Sequence, residues 1–207
     1  MPVFQIDFYT MKNGDEPAKD FLLSLPPKMR AKMLRTIDLL ARNGNELREP
    51  YSKPLRNGIM ELRAKVGSDI SRVLYFFVVG QRVILTHGFI KKTNKTPVAE
   101  IERAISYRQD FLKGWMKMSS YDNFFQEQMR DPEVKAEYDA LEPEFSIIQA
   151  IIDARKESGL TQKELASRTG IAQADISKLE HGNANPSLRT LQRLANGMGR
   201  KLKISFC

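Results

Sequence analysis

The cations between positions 63 and 95 include Arg63, Lys65, Arg72, Lys91, Lys92 and Lys95. Arg63 and Lys65 stand two residues apart in a strand-like run, so they share a face. Arg72 lies early in the next run, across a turn at Gly67, and Lys91 and Lys92 close a third. Adjacent strands would gather these charges into one concave surface fit for a polyanion. An arginine fork matches phosphate oxygens, and fixed cations stabilise charge that develops at phosphorus. The plainer reading is a set of solvated charges that keep sheet edges from aggregating. For Lys65 and Lys91 both readings stay open. His87 has the ring chemistry of a general base, but its apolar strand suits a packed structural histidine. No histidine or carboxylate pair stands out as an acid–base couple, so the proton carrier is unassigned. The one cysteine, Cys207, allows no cysteine-rich metal site. Chemistry on this surface is expected to need no metal and no cofactor.

A second constellation occupies Leu160 to Met198. Thr161 can N-cap a short helix with Leu165 and Ala166 on its apolar side. Gly170 supplies a turn, and a second short helix carries Ile176 and Leu179 inward. This is the pattern of a helix-turn-helix, whose second helix enters the major groove. With Ile176 and Leu179 buried, Gln173, Ala174, Ser177 and Lys178 face outward. Gln can pair with adenine, Lys can reach guanine, and Ala can touch a thymine methyl. Gln162, at the start of the preceding helix, is expected to hold a backbone phosphate.

The elements that must position these residues can be read from periodicity. Phe4, Ile6 and Phe8 alternate with polar neighbours, as in a half-buried strand. Pro17 to Leu25 reads as a helix stopped by Pro26-Pro27. A longer helix follows, with Met29, Met33, Ile37, Leu40 and Ala41 on one side and Gly44 as its stop. Strands are expected over Ile59–Val66, Ile70–Val79 and Arg82–Ile90, joined by hairpins at Gly67-Ser68-Asp69 and Gly80-Gln81. Thr96 and Pro97 can open a helix running to Leu112. Strands with segregated helices make an α+β domain over residues 1–115. Residues 116–145 read as an acidic helical arm interrupted at Asp131-Pro132, with Pro143 as a further break. Residues 146–207 read as an all-α DNA-binding domain whose first helix spans Phe145 to Glu157. Alternating Leu202, Ile204 and Phe206 suggest a terminal strand over Lys201–Phe206, which would need a pairing partner.

Charge follows the same division. Residues 1–115 carry 20 Lys and Arg against 12 Asp and Glu, a net +8. Residues 116–145 carry 3 against 8, a net −5, and residues 146–207 carry 10 against 5, a net +5. Two basic blocks suggest two polyanion-binding surfaces, and the acidic block between them could lie on the first. At 42% hydrophobic residues the chain can fill packed cores. No apolar run reaches the length of a membrane span, and Asp7 interrupts the short apolar start, so a cytoplasmic protein without a signal peptide is expected.

The run from Thr161 to Leu191 resembles the lambda-repressor-like (Xre-type) DNA-binding domain. The likeness rests on Thr161-Gln162, Leu165-Ala166, Gly170, Ile176-Ser177, Glu180, Gly182, Pro186-Ser187 and Leu191. Residues 53–110 resemble toxins of the RelE/HigB superfamily, in the phage-derived Gp49-like branch. Here the carriers are Leu55, Gly58, Glu61-Leu62-Arg63, Arg72, Tyr75-Phe76, Ala104 and the string HGFIKKTNKTP at 87–97. The second half is similar to the HigA antitoxins, and toxin before antitoxin is that family's order. One covalent chain departs from the family, whose two parts are usually separate proteins. The juncture falls near Met116.

The resemblance implies a type II toxin–antitoxin pair in one polypeptide. Its toxin half would be a metal-independent endoribonuclease that cuts mRNA, usually on the ribosome, and is inhibited in the intact chain. In that chemistry the 2′-hydroxyl attacks the adjacent phosphate while the enzyme manages protons and charge. Arg72 and Lys92 would stabilise the phosphate and its transition state, with Arg63 as a positioning cation. Lys65, Lys91 and Lys95 would bind RNA. The antitoxin half would dimerise on a palindromic operator and repress its own promoter. The alternative is a repressor whose RelE-like domain has lost catalysis and serves dimerisation or sensing.

Overall fold

The computed structural model describes residues 4–90, 96–114, 118–180, 182 and 184–204. The chain divides into two compact units, Met1–Leu141 and Glu142–Cys207. An α+β first unit is followed by an all-α second unit.

The first unit is built on a six-stranded sheet of order β2-β3-β4-β5-β1-β6. Its central strands are β3 (Ile59–Val66), β4 (Asp69–Val78) and β5 (Arg82–Ile90). They form the expected antiparallel meander, with turns where Gly67 and Gly80 take positive φ. β1 (Gln5–Tyr9) returns parallel to β5. Both edge strands, β2 (Ser52–Pro54) and β6 (Met118–Ser120), escape a reading by periodicity because each is three residues long. β6 pairs antiparallel with β1 and so extends the sheet past the expected domain boundary.

Two helical layers cover the sheet. On one face lie α1 (Pro17–Ser24) and α2 (Pro27–Asn43), which pack on β5 and β3. Gly88 is required there, since a Cβ at that position would meet the Phe21 ring at 1.9 Å. The other face carries α3 (Val98–Leu112), whose Ala104 joins a core of Tyr9, Ile59, Leu74, Phe76 and Ile84. Thr96 does not cap α3. Pro97 takes the cap position, and the Thr96 hydroxyl is drawn into bonds with Glu61 and Arg72.

The acidic segment belongs to the first unit as far as Leu141. It forms α4 (Tyr121–Gln128) and α5 (Pro132–Ala140), separated at Asp131, whose carboxylate caps α5. Both dock on the α1–α2 side. Phe124 packs edge-on to Phe8 at 5.3 Å, and the Arg35 guanidinium lies 3.6 Å from the Tyr138 ring centroid. Arg35 Nε also donates to the Tyr138 carbonyl at 3.0 Å. Arg30 donates to Gln128 at 2.9 Å, and Tyr138 donates to Asp38. Val134 is fully buried. The large apolar residues of this segment therefore explain why α2 is buried around most of its circumference.

The second unit comprises α6 (Glu142–Glu157), α7 (Gln162–Thr169), α8 (Gln173–Glu180) and α9 (Leu188–Gly197). α6 begins three residues before the expected Phe145 because Pro143 sits in its first turn, where proline is tolerated. Ile151, Leu160, Leu165, Ile176, Leu179, Leu194 and Met198 form the core. The expected terminal strand is corrected over residues 201–204, which are not in a strand. No described strand of this unit offers a ladder for them to join. Its remaining residues, 205 and 206, lie outside the described ones, as does the juncture at 115–117.

Candidate nucleic-acid sites

Cross-strand register brings Arg63 opposite Arg72 and Arg72 opposite Phe89. The row behind it aligns Glu61, Leu74 and His87. Both rows lie on the α3 face, and the second shares Leu74 with the apolar core there. Two arginines side by side would repel. Glu61 resolves the conflict, because its fully buried carboxylate takes Arg63 Nε on one oxygen and Arg72 Nη1 on the other. Thr96 contributes a third bond to Glu61 and accepts from Arg72 Nη1 at 3.0 Å. Burial would raise the Glu61 carboxyl, but the bonds from Arg72, Thr96 and Arg63 outweigh it and hold the group below its ordinary value.

The expected cations therefore occupy different depths. The Arg72 side chain is 4% exposed, and its Nε is buried without a hydrogen-bond partner. Arg63 is 20% exposed and also reaches Glu49 at 3.2 Å. Its Nη2 makes no hydrogen bond among the described residues. Lys65 is exposed on the same face as Arg63. Lys91, Lys92 and Lys95 lie outside the described residues.

The geometry also supplies an acid–base pair that sequence reading missed. His87 Nε2 lies 3.0 Å from Oε2 of Glu100, and Arg103 Nη1 lies 3.1 Å from the same oxygen. His87 is buried, whereas the Glu100 side chain is 21% exposed. Burial pulls the His87 ring below its ordinary value, opposed by the charge and hydrogen bond of Glu100. Glu100 follows Thr96 by four residues, so one turn of chain ties this pair to the Glu61 cluster. The signal was present as an acidic residue in the first turn of α3, but nothing in the sequence aimed it at His87.

In the second unit, Gln173, Ala174 and Lys178 are exposed on α8, Ser177 is half-buried, and Ile176 and Leu179 point into the core. Lys178 pairs with Asp175 at 2.8 Å. Gln162 is engaged internally. Its amide donates to Glu180 at 2.8 Å, and Glu180 also accepts from Arg155 at 2.6 Å and 3.1 Å. This buried network ties α6, α7 and α8 together and sets the angle of the outward face. Thr161 and Glu164 form the capping box that starts α7, and Gly170 ends it at φ 66°.

Two family models match the chain. The phage-derived Gp49-like protein family covers residues 20–108, and a helix-turn-helix family covers residues 151–204. Among curated relatives, an uncharacterized HTH-type transcriptional regulator of Haemophilus influenzae is 36% identical over 59 residues. That is 28% of this chain and 60% of the relative. A similarly named regulator of Methanothermobacter thermautotrophicus is 47% identical over 51 residues, 25% of this chain and 74% of the relative. Antitoxin HigA1 of Mycobacterium tuberculosis is 34% identical over 74 residues, 36% of this chain and half of the antitoxin.

Proposed function

Because the chain belongs, through residues 151–204, to the helix-turn-helix transcriptional regulators and carries a Gp49-like domain before them, we propose that it is a toxin–antitoxin polypeptide. Its first unit is a metal-independent endoribonuclease, and its second unit represses its own promoter as a dimer. The observation that carries the ribonuclease reading is the pre-aligned guanidinium of Arg63. It is fixed by Glu61 through Nε and by Glu49 through Nη1, and its side chain stays 20% exposed. A donor held in this way stabilises developing phosphate charge without having to reorganise. Arg72 is too deep to touch RNA, so its role is to position Glu61 and, through it, Arg63. Lys65 is placed to meet an adjoining phosphate, and Lys91, Lys92 and Lys95 keep the roles that the resemblance implies.

The docking of α4 and α5 refines the idea of inhibition. Both pack on the α1–α2 side of the sheet, whereas Arg63 and Glu100 lie on the α3 side. They restrain the toxin unit by bulk, against a particle the size of a ribosome, and leave a short RNA free to reach Arg63. Purified full chain and a variant lacking residues 116–207 can be compared on mRNA engaged by ribosomes. The full chain should spare that mRNA and the shortened chain should cut it. Equal cutting by both would refute restraint by the second half.

The internal pairing of Arg63 and Arg72 with Glu61 favours a second reading. A repressor that retains the toxin fold with neutralised cations would bind its operator and cleave no RNA in any setting.

A further inference from the structure

The row that carries the two arginines ends on an aromatic ring. Arg63 on β3 pairs with Arg72 on β4, and Arg72 pairs with Phe89 on β5. Gly88 settles which way this ring turns, because the place of its missing side chain is taken by Phe21 of α1. Phe89 and His87 therefore turn to the opposite, α3 face, where their rings lie 6.4 Å apart at 32°. Phe89 packs against the apolar core of that face yet stays half-buried. Strand spacing puts the Cα atoms of Arg63 and Phe89 about 10 Å apart. Between them the Arg72 side chain is 4% exposed and tied to Glu61. The row thus presents a held guanidinium, then a buried arginine, then an accessible ring.

We infer that Phe89 is a base-stacking residue of the first unit, which holds one unpaired base beside the phosphate that Arg63 contacts. This inference rests on the ribonuclease reading above. The spacing along the row suits the reach from a phosphate across its sugar to a neighbouring base. Every base has a π-face, so an aromatic side chain accepts any of the four. Arg63 and Lys65 cannot make this selection, because they meet the backbone that single and double strands share. In a duplex the faces of a base are covered by its stacked neighbours, whereas an unpaired base can be splayed out onto a ring. Phe89 therefore selects single-stranded RNA. Stacking pins the nucleotide on one side of phosphorus while Arg63 holds the phosphate oxygens. Two fixed points restrict the rotations between them, which is what bringing the 2′-oxygen in line with the scissile bond demands.

Removing the base separates stacking from packing. The full chain and its Phe89→Leu variant, which keeps apolar bulk without an aromatic face, are compared on a short single-stranded RNA. Both are also tested on the same RNA with an abasic nucleotide on one side or the other of the scissile phosphate. Wild type should lose about 5–150-fold in kcat/KM on one of the two abasic RNAs. Phe89→Leu should show that loss already on the intact RNA and match wild type on that abasic RNA, which also shows that the variant is folded. Phe89→Trp should keep wild-type cleavage of the intact RNA. Equal loss by Phe89→Leu on intact and abasic RNA, or loss on neither, overturns the inference. A second readout needs no cleavage. 2-Aminopurine at each flanking position in turn, in an RNA whose scissile 2′-hydroxyl is replaced by hydrogen, should be quenched at one position by wild type and not by Phe89→Leu. Such quenching by a wild type that cuts no RNA supports the stacking site and defeats the ribonuclease reading. Cleavage without quenching that depends on Phe89 overturns the stacking site alone.

Discussion

Glu61 is the residue on which the first unit's paired arginines depend. It is fully buried and holds two arginines that would otherwise repel. Replacing it by Gln strands Arg72 as a buried unpaired charge, at a cost of about 3–5 kcal/mol. The sign of the pH effect follows from its depressed acidity. A carboxyl held below its ordinary value of 4.5 stabilises the fold fully above that value. The contribution is lost as pH falls through the lower, folded value. Urea unfolding of the full chain across the acid range should therefore show a steeper decline for wild type than for Glu61→Gln. Parallel declines would contradict this role. In the second unit, Gln173→Ala should cost about 1–3 kcal/mol at one operator position and spare non-specific binding in a salt-controlled gel shift. A uniform loss on all DNA would mean that α8 does not read bases there. The cations of the first site were legible as residue types, because strand spacing put Arg63 and Lys65 on one face. Their depths were not legible. The burial of Arg72 depends on a carboxylate two residues before Arg63 and on a threonine 24 positions beyond Arg72, and only the folded register brings them together.

At the scale of elements, periodicity located the long strands and helices well, since each had enough residues to show a face. It failed where an element was short or where its partner was remote. β2 and β6 have three residues each and become strands only because β3 and β1 present unpaired edges. The same pairing makes residues 118–141 an integral cover for the sheet and α2. Phe124 is 2% exposed against Phe8, so Phe124→Ala should destabilise the first unit by about 3–5 kcal/mol. Amide exchange in β1 should quicken with it, because α4 no longer clamps the β1–β6 ladder. Unchanged exchange in β1 would show that α4 is only a passenger. The first unit without this cover exposes Phe8 and leaves Arg35 without Tyr138. A shortened chain must therefore be checked for folding before its activity is interpreted.

For the whole molecule, the sequence disclosed two basic blocks and an acidic link; each basic block lies in its own compact unit, and most of the link belongs to the first. What charge could not disclose is the side on which the link docks. That choice follows from apolar contacts, Phe124 on Phe8 and Val134 beside α2, rather than from attraction to the cationic site. On the proposed function, one chain carries an RNA-facing surface on its sheet and a DNA-facing surface on α8. The central claim is that the intact chain cleaves RNA through Arg63, and it is tested by incubating end-labelled short RNA with purified full chain and with Arg63→Ala. Wild type should yield 2′,3′-cyclic phosphate ends without added metal, and Arg63→Ala should be about 10²–10³-fold slower while binding operator DNA normally. Uncut RNA with the wild type, or equal cutting by a folded Arg63→Ala chain, would contradict the account.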